Sequence, residues 1–178
     1  MAKNSMKQIE EDEKKVINEL LKNANKSINE IAKICGFSRQ KVWRIIKNLE
    51  NNNTIWGYTA VVNQEKQNLK NYMVLIKRTN KPLTKEVIDR IIDRELDKLS
   101  KKIGARVSSS YYVYGPYDWI ICFYAEDIKI AKKFCEILLS RFEGIISETQ
   151  LLEKMFSAKK CGIDNPDIEQ LRDFFTEL

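Results

Sequence analysis

The stretch SINEIAKICGFSRQKVWRIIKNLE, residues 27–50, decides the fold of the amino-terminal region. Ser27 and Glu30 have the spacing of a capping box, in which each side chain bonds a backbone amide left free at the start of a helix. Gly36 predicts a left-handed stop after this short helix, and Ser38 predicts the cap of the next one. Two helices joined by a short turn containing glycine are typical of a helix-turn-helix, whose second helix is shaped to enter the major groove of DNA.

The second of these helices, which can run to about Asn51, has two distinct faces when its residues are placed about 100° apart. One face is aliphatic and is expected to pack on the preceding helices: Val42, Ile45, Ile46 and Leu49. The other face offers cations for phosphates and amide or guanidinium groups for base edges, with no acidic residue before Glu50. We predict DNA contacts for eight residues: Ser38, Arg39, Gln40, Lys41, Trp43, Arg44, Lys47 and Trp56.

The flanking segments extend this unit on both sides. From Glu11 onward, apolar residues recur on one helical face, which predicts a first helix. Residues 54–62 predict two short strands around Gly57, which would complete a winged helix-turn-helix. Trp56 in this wing has two open interpretations, contact with the DNA backbone or packing beneath the hairpin. For the basic helix face the alternative is ordinary solvation, although such a face normally interleaves Glu with Lys.

Composition and net charge limit the classes of protein to which the chain can belong. The chain has 178 residues, 43% of them hydrophobic and 31% charged, which is ordinary for a globular protein of one domain or two small ones. The net charge is +6, and residues 1–62 hold 11 basic and 7 acidic residues, or +4 of that excess. A basic amino-terminal region favours an anionic partner. Because no apolar run approaches the length of a membrane span and no secretory signal is present, we expect a cytoplasmic protein without a membrane partner.

The residue types of the chain argue against catalysis and metal binding. Histidine is absent, which removes the commonest general base and the commonest zinc ligand. The cysteines are far apart, without a C-x-x-C pair, and are expected to be small buried apolar residues: Cys35, Cys122, Cys135 and Cys161. We therefore predict no catalytic residue, no metal and no cofactor, although carboxylate, lysine or tyrosine chemistry remains open.

The rest of the chain predicts a second domain and an extension. Residues 1–62 form the predicted DNA-binding domain, residues 63–71 a polar linker, residues 72–160 the second domain and residues 161–178 a helical extension. The second domain alternates strands and helices in the order βαββαβ, which is typical of a ferredoxin-like fold. Its predicted elements are strand 72–78, helix 84–99, strand 106–114, strand 118–124, a helix capped by Asp127 and strand 145–156.

The third predicted strand is apolar on both faces. Trp119, Ile121 and Phe123 alternate with Ile120, Cys122 and Tyr124. In a ferredoxin-like fold both helices cover one face of the sheet, so a single copy would expose a large apolar patch. We expect a homodimer that packs sheet on sheet, and we expect charges at positions 121 and 123 to disrupt it.

Three short patterns occur along the chain: G-F-S-x3-V-x3-I-x2-L-E over residues 36–50, T-I-x-G-Y over residues 54–58 and V-x-G-x-Y-D over residues 113–118. In this order and at this spacing they resemble the leucine-responsive regulatory protein/AsnC family of transcription regulators. The resemblance covers about residues 10–160. It implies a DNA-binding regulator of bacteria or archaea, assembled as dimers and larger even-numbered assemblies such as tetramers or octamers.

The resemblance also implies a small effector, commonly an amino acid, bound at a contact between subunits. The matching positions form one turn: Tyr114, Gly115, Pro116, Tyr117 and Asp118. The alternative is a plain tight turn, since proline at its second position and a nearby aspartate are ordinary turn chemistry. The sequence departs from the family at Asn53, where glycine is usual, and at Ile45, where arginine is frequent.

Two other functions stay open. Proteins resembling the same scaffold act as sirohaem decarboxylases, but histidine and arginine residues do the work in them, and this chain has no histidine. An architectural DNA-binding protein would share the basic helix and show little sequence preference. Beyond Lys160 the chain adds a predicted amphipathic helix to the family pattern, with apolar residues at Ile168, Leu171, Phe174, Phe175 and Leu178.

Overall fold

The computed structural model describes residues 2–176, apart from the side chains of residues 2–5 and of Phe174. The chain forms two compact units. We call the first the helical unit; it comprises the residues up to Val61 together with those from Ala158 onward. We call the second the sheet unit; it comprises Val62–Ser157.

The helical unit begins with three helices: α1 (Ala2–Lys22), α2 (Ile28–Cys35) and α3 (Arg39–Asn51). Helix α1 starts well before the predicted Glu11, since no proline or glycine interrupts the sequence upstream of that residue. Val16 of α1, Ile31 and Ala32 of α2 and Val42 of α3 form the buried core between them.

The predicted caps of these helices are present. The amide of Glu30 donates to the Ser27 hydroxyl at 3.2 Å, and the amide of Ser27 donates to the Glu30 carboxylate at 2.7 Å. Gly36 ends α2 in the left-handed region with φ of +69°. The Ser38 hydroxyl accepts from the amide of Lys41 at 3.2 Å. These bonds fix the turn between α2 and α3, so the helix-turn-helix is confirmed.

The two strands predicted in the wing are wrong. Residues 55–63 hold no strand and no helix. The backbone amide of Ile55 donates to the carbonyl of Leu49 at 2.9 Å, which anchors the start of the segment to α3. A two-stranded hairpin this short is marginal without further strands or a packed face, and Gly57 weakens pairing because it adds no side chain.

The sheet unit has the ferredoxin-like topology, as predicted. Its elements are β1 (Lys70–Arg78), α4 (Lys85–Ile92), α5 (Glu95–Lys102), β2 (Arg106–Tyr112), β3 (Trp119–Ala125), α6 (Ile128–Arg141) and β4 (Ile146–Lys154). The four strands pair antiparallel in the order β2-β3-β1-β4. A short 3-10 turn, Glu65–Gln67, precedes β1.

The single helix predicted over residues 84–99 is two helices, α4 and α5. They are separated at Arg94, whose φ is +52°. Val87, Ile91 and Leu96 all pack against the core. In an unbroken helix Leu96 would lie about 140° around the axis from Ile91, because five residues turn about 500°. The break brings Leu96 back toward the sheet, so core packing outweighs helix continuity here.

The sheet has a helix-covered inner face and an outer face. The fully buried residues of the inner face come from the two central strands: Tyr72, Val74, Ile76, Ile121 and Phe123. Phe123 packs against Phe134 of α6 with ring centroids 4.5 Å apart and ring planes tilted by 45°, and burying such a ring contributes about 1.5–3 kcal/mol. On the outer face Leu75 lies opposite Ile120, and Met73 lies opposite Cys122. Ile121 and Phe123 are therefore core residues, and placing them at a dimer contact was wrong.

The carboxyl-terminal segment adds a small hairpin that the sequence did not predict. It consists of β5 (Lys159–Lys160) and β6 (Ile163–Asp164), followed by α7 (Gln170–Thr176). Cys161 lies in the hairpin turn with φ of +48° and is exposed, so the expectation of a buried residue is wrong there. The predicted helix is confirmed in shorter form, while Leu178 and the side chain of Phe174 lie outside the described residues.

Candidate nucleic-acid interface

Helix α3 separates its apolar face from its polar face as the sequence predicts. Val42 and Leu49 are 0% and 1% exposed, and the half-buried Ile45 and Ile46 pack against the same core. This packing fixes the rotation of α3 about its own axis. The opposite face therefore points to solvent, and the side chains that it carries are all exposed: Gln40, Trp43, Arg44 and Lys47.

The exposed face of α3 combines three kinds of chemistry. Arg44 and Lys47 carry the charge, Gln40 has an amide able to pair with a base edge, and Trp43 is 51% exposed. An exposed indole is unusual on a merely solvated helix, whereas side chains of these types suit contacts in a DNA groove. Arg39 is also exposed, at the start of the helix. We call Arg39 and these four residues the α3 face.

Lys41 lies apart from the α3 face. Its ammonium is 2.6 Å from the Asp12 carboxylate and 4.1 Å from the centre of the Phe37 ring. Hydrogen bonding to Lys41 holds the pKa of the Asp12 carboxyl below its ordinary value of 3.8. Lys41 is thus engaged inside the helical unit, where it joins α1 to α3, and we leave it out of the proposed DNA contacts. Ser38 is exposed and has the structural role of capping α3.

Glu50 is a neighbour of the α3 face whose role the sequence did not reveal. Its carboxylate accepts from Lys47 at 2.7 Å and from the hydroxyl of Tyr58 at 3.1 Å. These two hydrogen bonds hold the pKa of the Glu50 carboxyl below its ordinary value of 4.5. The carboxylate therefore stays charged at neutral pH, ties Tyr58 in the segment after α3 to that helix and partly neutralises Lys47.

Trp56 is 96% exposed, so it does not pack beneath a hairpin. Packing beneath a hairpin is therefore wrong for this residue, and contact with the DNA backbone stays a prediction. Aromatic side chains are costly to expose to water and are frequent at recognition surfaces.

The turn predicted to bind an effector is held by hydrogen bonds between Asp118 and backbone groups of β1. The Asp118 carboxylate accepts from the amide of Arg78 at 2.8 Å, and the amide of Asp118 donates to the carbonyl of Ile76 at 2.9 Å. Asp118 therefore links this turn to the end of β1. Tyr114, Gly115 and Pro116 are exposed and Tyr117 is half-buried.

The described residues show neither a metal-binding cluster nor a membrane-spanning helix. Among them, no group of three or more histidine, cysteine, aspartate or glutamate side chains is placed to hold a metal ion. None of the helices in the described part of the chain is long and apolar enough to cross a membrane.

Comparison with known proteins first identifies a class. Residues 13–55 match a family model described as winged helix-turn-helix DNA-binding, and these residues contain α2, α3 and the second half of α1. A search of curated proteins finds no significant match.

Solved structures then identify the fold of most of the chain. An AsnC family transcriptional regulator from Agrobacterium tumefaciens is 20% identical with a TM-score of 0.64, over 88% of this chain and 96% of that one. The leucine response regulatory protein of Mycobacterium tuberculosis is 16% identical with a TM-score of 0.65, over 84% and 94%. A transcriptional regulator from Neisseria meningitidis, in complex with L-methionine, is 18% identical with a TM-score of 0.61, over 84% and 91%.

The chain therefore has the fold of the AsnC and leucine-responsive regulators. The resemblance found in the sequence motifs is confirmed in the structure, from the helix-turn-helix to the ferredoxin-like sheet.

Proposed function

We propose that this protein is a sequence-specific DNA-binding transcription regulator that works as a dimer or larger assembly and responds to a small effector. The observation that carries the proposal is the α3 face, a set of exposed basic, amide and indole side chains on the second helix of a helix-turn-helix. Basic side chains supply affinity through phosphates, while Gln40 and Arg44 have the groups that distinguish base edges. We also propose a cytoplasmic location, which a DNA partner supports.

A dimer is supported by the outer face of the sheet. Met73, Leu75, Ile120 and Cys122 lie side by side there, and the neighbouring Leu152 is 44% exposed. Apolar patches of this kind are normally covered, and a second copy of the same sheet would bury on the order of 1,600 Å² in total. Two copies also provide two recognition helices, which suits two half-sites on one side of a duplex.

The effector part of the proposal is supported by the complex of the Neisseria protein with L-methionine. We propose no catalytic role, since the chain has no histidine and its fold is shared with transcription regulators. An assay of carbon dioxide release from an iron-porphyrin substrate tests the enzymatic alternative, and turnover above a protein-free control would contradict the proposal.

The test of DNA recognition starts with selection of bound sequences from a random duplex pool, followed by titration of the selected site. Arg44→Ala is expected to weaken binding by about 1–3 kcal/mol if the guanidinium reads a base. Lys132→Ala is the matched control, because it removes one exposed positive charge from α6 of the sheet unit.

Three outcomes would contradict this proposal. The first is a selection that yields no enriched sequence, the second is a selected site that binds no better than bulk DNA, and the third is an Arg44→Ala variant that binds as tightly as Lys132→Ala. The second outcome would favour an architectural role.

The test of the dimer uses two leucines with nearly equal exposure. Leu152 on the outer sheet face is 44% exposed, and Leu139 on α6 is 43% exposed. Leu152→Lys is expected to shift the mass measured by light scattering toward the monomer, because an unpaired charge in a buried interface is costly. Leu139→Lys is expected to leave the mass unchanged, and equal behaviour of the two variants would exclude the sheet-on-sheet arrangement.

A further inference from the structure

Trp43 is the large apolar side chain of the α3 face. Its indole is 51% exposed, and within the described part of the chain it forms no hydrogen bond and no contact with another aromatic ring. The preceding residue, Val42, is 0% exposed, so the rotation of α3 that exposes Trp43 is fixed by the core. Because an exposed indole is costly in water and nothing in the helical unit uses it, a partner outside that unit explains it best.

The position of Trp43 along α3 places the indole where a helix-turn-helix meets base edges. Trp43 is the fifth residue of this helix, which begins at Arg39. Gln40 lies three residues before it and Lys47 four residues after it, so these side chains follow one side of the helix. The amino-terminal part of the second helix is the part that contacts bases in the major groove. Trp43 therefore belongs to the group of residues that can distinguish base pairs.

The chemistry of an indole selects among the groups that the major groove offers. Base edges there carry hydrogen-bond donors and acceptors, and the 5-methyl group of thymine is the apolar group among them. An indole ring against a polar base edge would remove water without replacing its hydrogen bonds, which costs free energy. Against the thymine methyl both surfaces are apolar, so their removal from water is stabilising.

We propose that Trp43 reads a thymine, with the indole ring packed on the 5-methyl group in the major groove. Trp43 is then a specificity-determining residue for a T·A pair at one position of each half-site. This inference rests on the proposed function and deepens it, since it names one base that the α3 face recognises.

The competing role for the same side chain is a hydrogen bond from the indole N–H to a phosphate. Arg39 and Lys47 lie one helical turn before and one turn after Trp43, and both are exposed. Their charged donors bind a phosphate more strongly than a neutral N–H does. The apolar ring is thus the property that Trp43 adds to this face and that its cationic neighbours lack.

The experiment removes single methyl groups from the DNA. The duplex selected from the random pool is synthesised with each thymine replaced in turn by deoxyuridine, which differs from thymidine only in lacking the 5-methyl group. The affinity of the full chain is measured by fluorescence anisotropy. At one thymine in each half-site, deoxyuridine is expected to weaken binding about fourfold, because burial of one methyl group contributes about that factor.

A second set of duplexes returns the methyl group on a different base. The same T·A pair is replaced by cytosine·guanine and by 5-methylcytosine·guanine, which carries its methyl group at the same place in the major groove. The methylated pair is expected to bind about fourfold more tightly than the unmethylated pair. Equal binding of the two would contradict a contact with the methyl group.

Three variants assign the response to the indole. Trp43→Ala is expected to bind thymine and deoxyuridine duplexes equally, and its folding is checked by circular dichroism. Trp43→Phe keeps an apolar ring without the N–H and is expected to keep most of the preference for the methyl group. Trp56→Ala is the matched control, because it removes a tryptophan that is 96% exposed but lies outside α3, and it should keep the full fourfold difference.

Failure of this inference is separable from failure of the proposed function. The thymine contact is overturned if no thymine responds to removal of its methyl group, or if Trp43→Ala keeps the response. Loss of affinity in Trp43→Phe without any response to deoxyuridine would assign the contact to the indole N–H instead. In each of these cases the unmodified chain still binds its selected site, and the regulator stands. A selection that yields no enriched sequence would overturn both.

Discussion

Helix α3 and strand β3 each have two different faces. The sequence predicts which face is buried in α3, but it does not predict this for β3. In α3 the aliphatic residues and the basic residues fall on opposite sides, and Leu49 at 1% exposure is the expected result. In β3 both faces are apolar, and the structure buries Ile121 completely while Ile120 stays half-buried on the outer face. The periodicity of apolar residues predicts which face of an element is buried only when its two faces differ in polarity.

The largest effect is expected from adjacent lysine substitutions in β3. Ile121→Lys should lower the free energy of unfolding by about 4 kcal/mol or more, because it buries an unpaired charge among the inner-face residues. Ile120→Lys should preserve the folded subunit and reduce self-association. Urea unfolding followed by circular dichroism, together with the mass in solution, separates these effects. Equal losses of stability in the two variants would contradict the assignment of Ile121 to the core and of Ile120 to the outer face.

The next effect contrasts the two faces of α3. Leu49→Ala should lower the free energy of unfolding of the helical unit by about 2–5 kcal/mol, through lost burial and a cavity. Arg44→Ala should change this free energy by less than about 0.5 kcal/mol, since its side chain is exposed. Thermal or urea unfolding tests both variants. A large loss of stability with Arg44→Ala would mean that the α3 face has a structural role.

Acid should destabilise the helical unit selectively. Lys22 and Lys26 hold the pKa of the Glu19 carboxyl below its ordinary value of 4.5, and Lys41 does the same for Asp12. A carboxyl with a depressed pKa in the folded state stabilises at neutral pH, and that contribution is lost as the pH falls below 4.5 and through the folded-state pKa.

Melting curves between neutral pH and pH values of about 3 measure this loss. Asp12→Asn should reduce the slope of stability against pH, and should reduce it less when Lys41→Ala is already present. An unchanged slope in Asp12→Asn would show that the ion pair between α1 and α3 contributes nothing to folding.

The smallest effect is expected at the edge of the α3 face. Glu50→Gln removes a carboxylate that pairs with Lys47 and would repel phosphates, while the amide oxygen still accepts from Tyr58. DNA affinity should rise about threefold at low salt, which is within the range of exposed ion pairs, and the gain should shrink as salt increases. Glu136→Gln on α6 is the charge-matched control, and equal gains from both would attribute the effect to net charge alone.

The predicted helical unit was close to the observed one because its signals are local. The capping box of Ser27 and Glu30, the stop at Gly36 and the cap at Ser38 each act within four residues. The role of Lys41 could not be predicted from local signals. Its position on α3 suggested DNA, but Asp12 is distant in sequence, and only the packing of α1 on α3 brings their charges together.

In the sheet unit, the order of strands and helices was predictable, whereas the break in the helix was not. Nothing in the sequence around Arg94 marks a break, since it contains no glycine or proline. The two helices are set by the sheet beneath them, which Val87, Ile91 and Leu96 must all reach. A cavity of about 220 Å³ beside that break, lined by Leu96 and Trp119 among others, could therefore not be predicted from sequence patterns either.

By itself, the sequence determined the helix-turn-helix, the outward direction of the α3 face and the order of elements in the sheet unit, because caps and amphipathic periodicity act over a few residues. Only the tertiary structure decided which side of β3 is core, which cations are already paired and where a cavity lies. Those properties depend on residues far apart in the chain, whose contacts are set by packing and not by local preference.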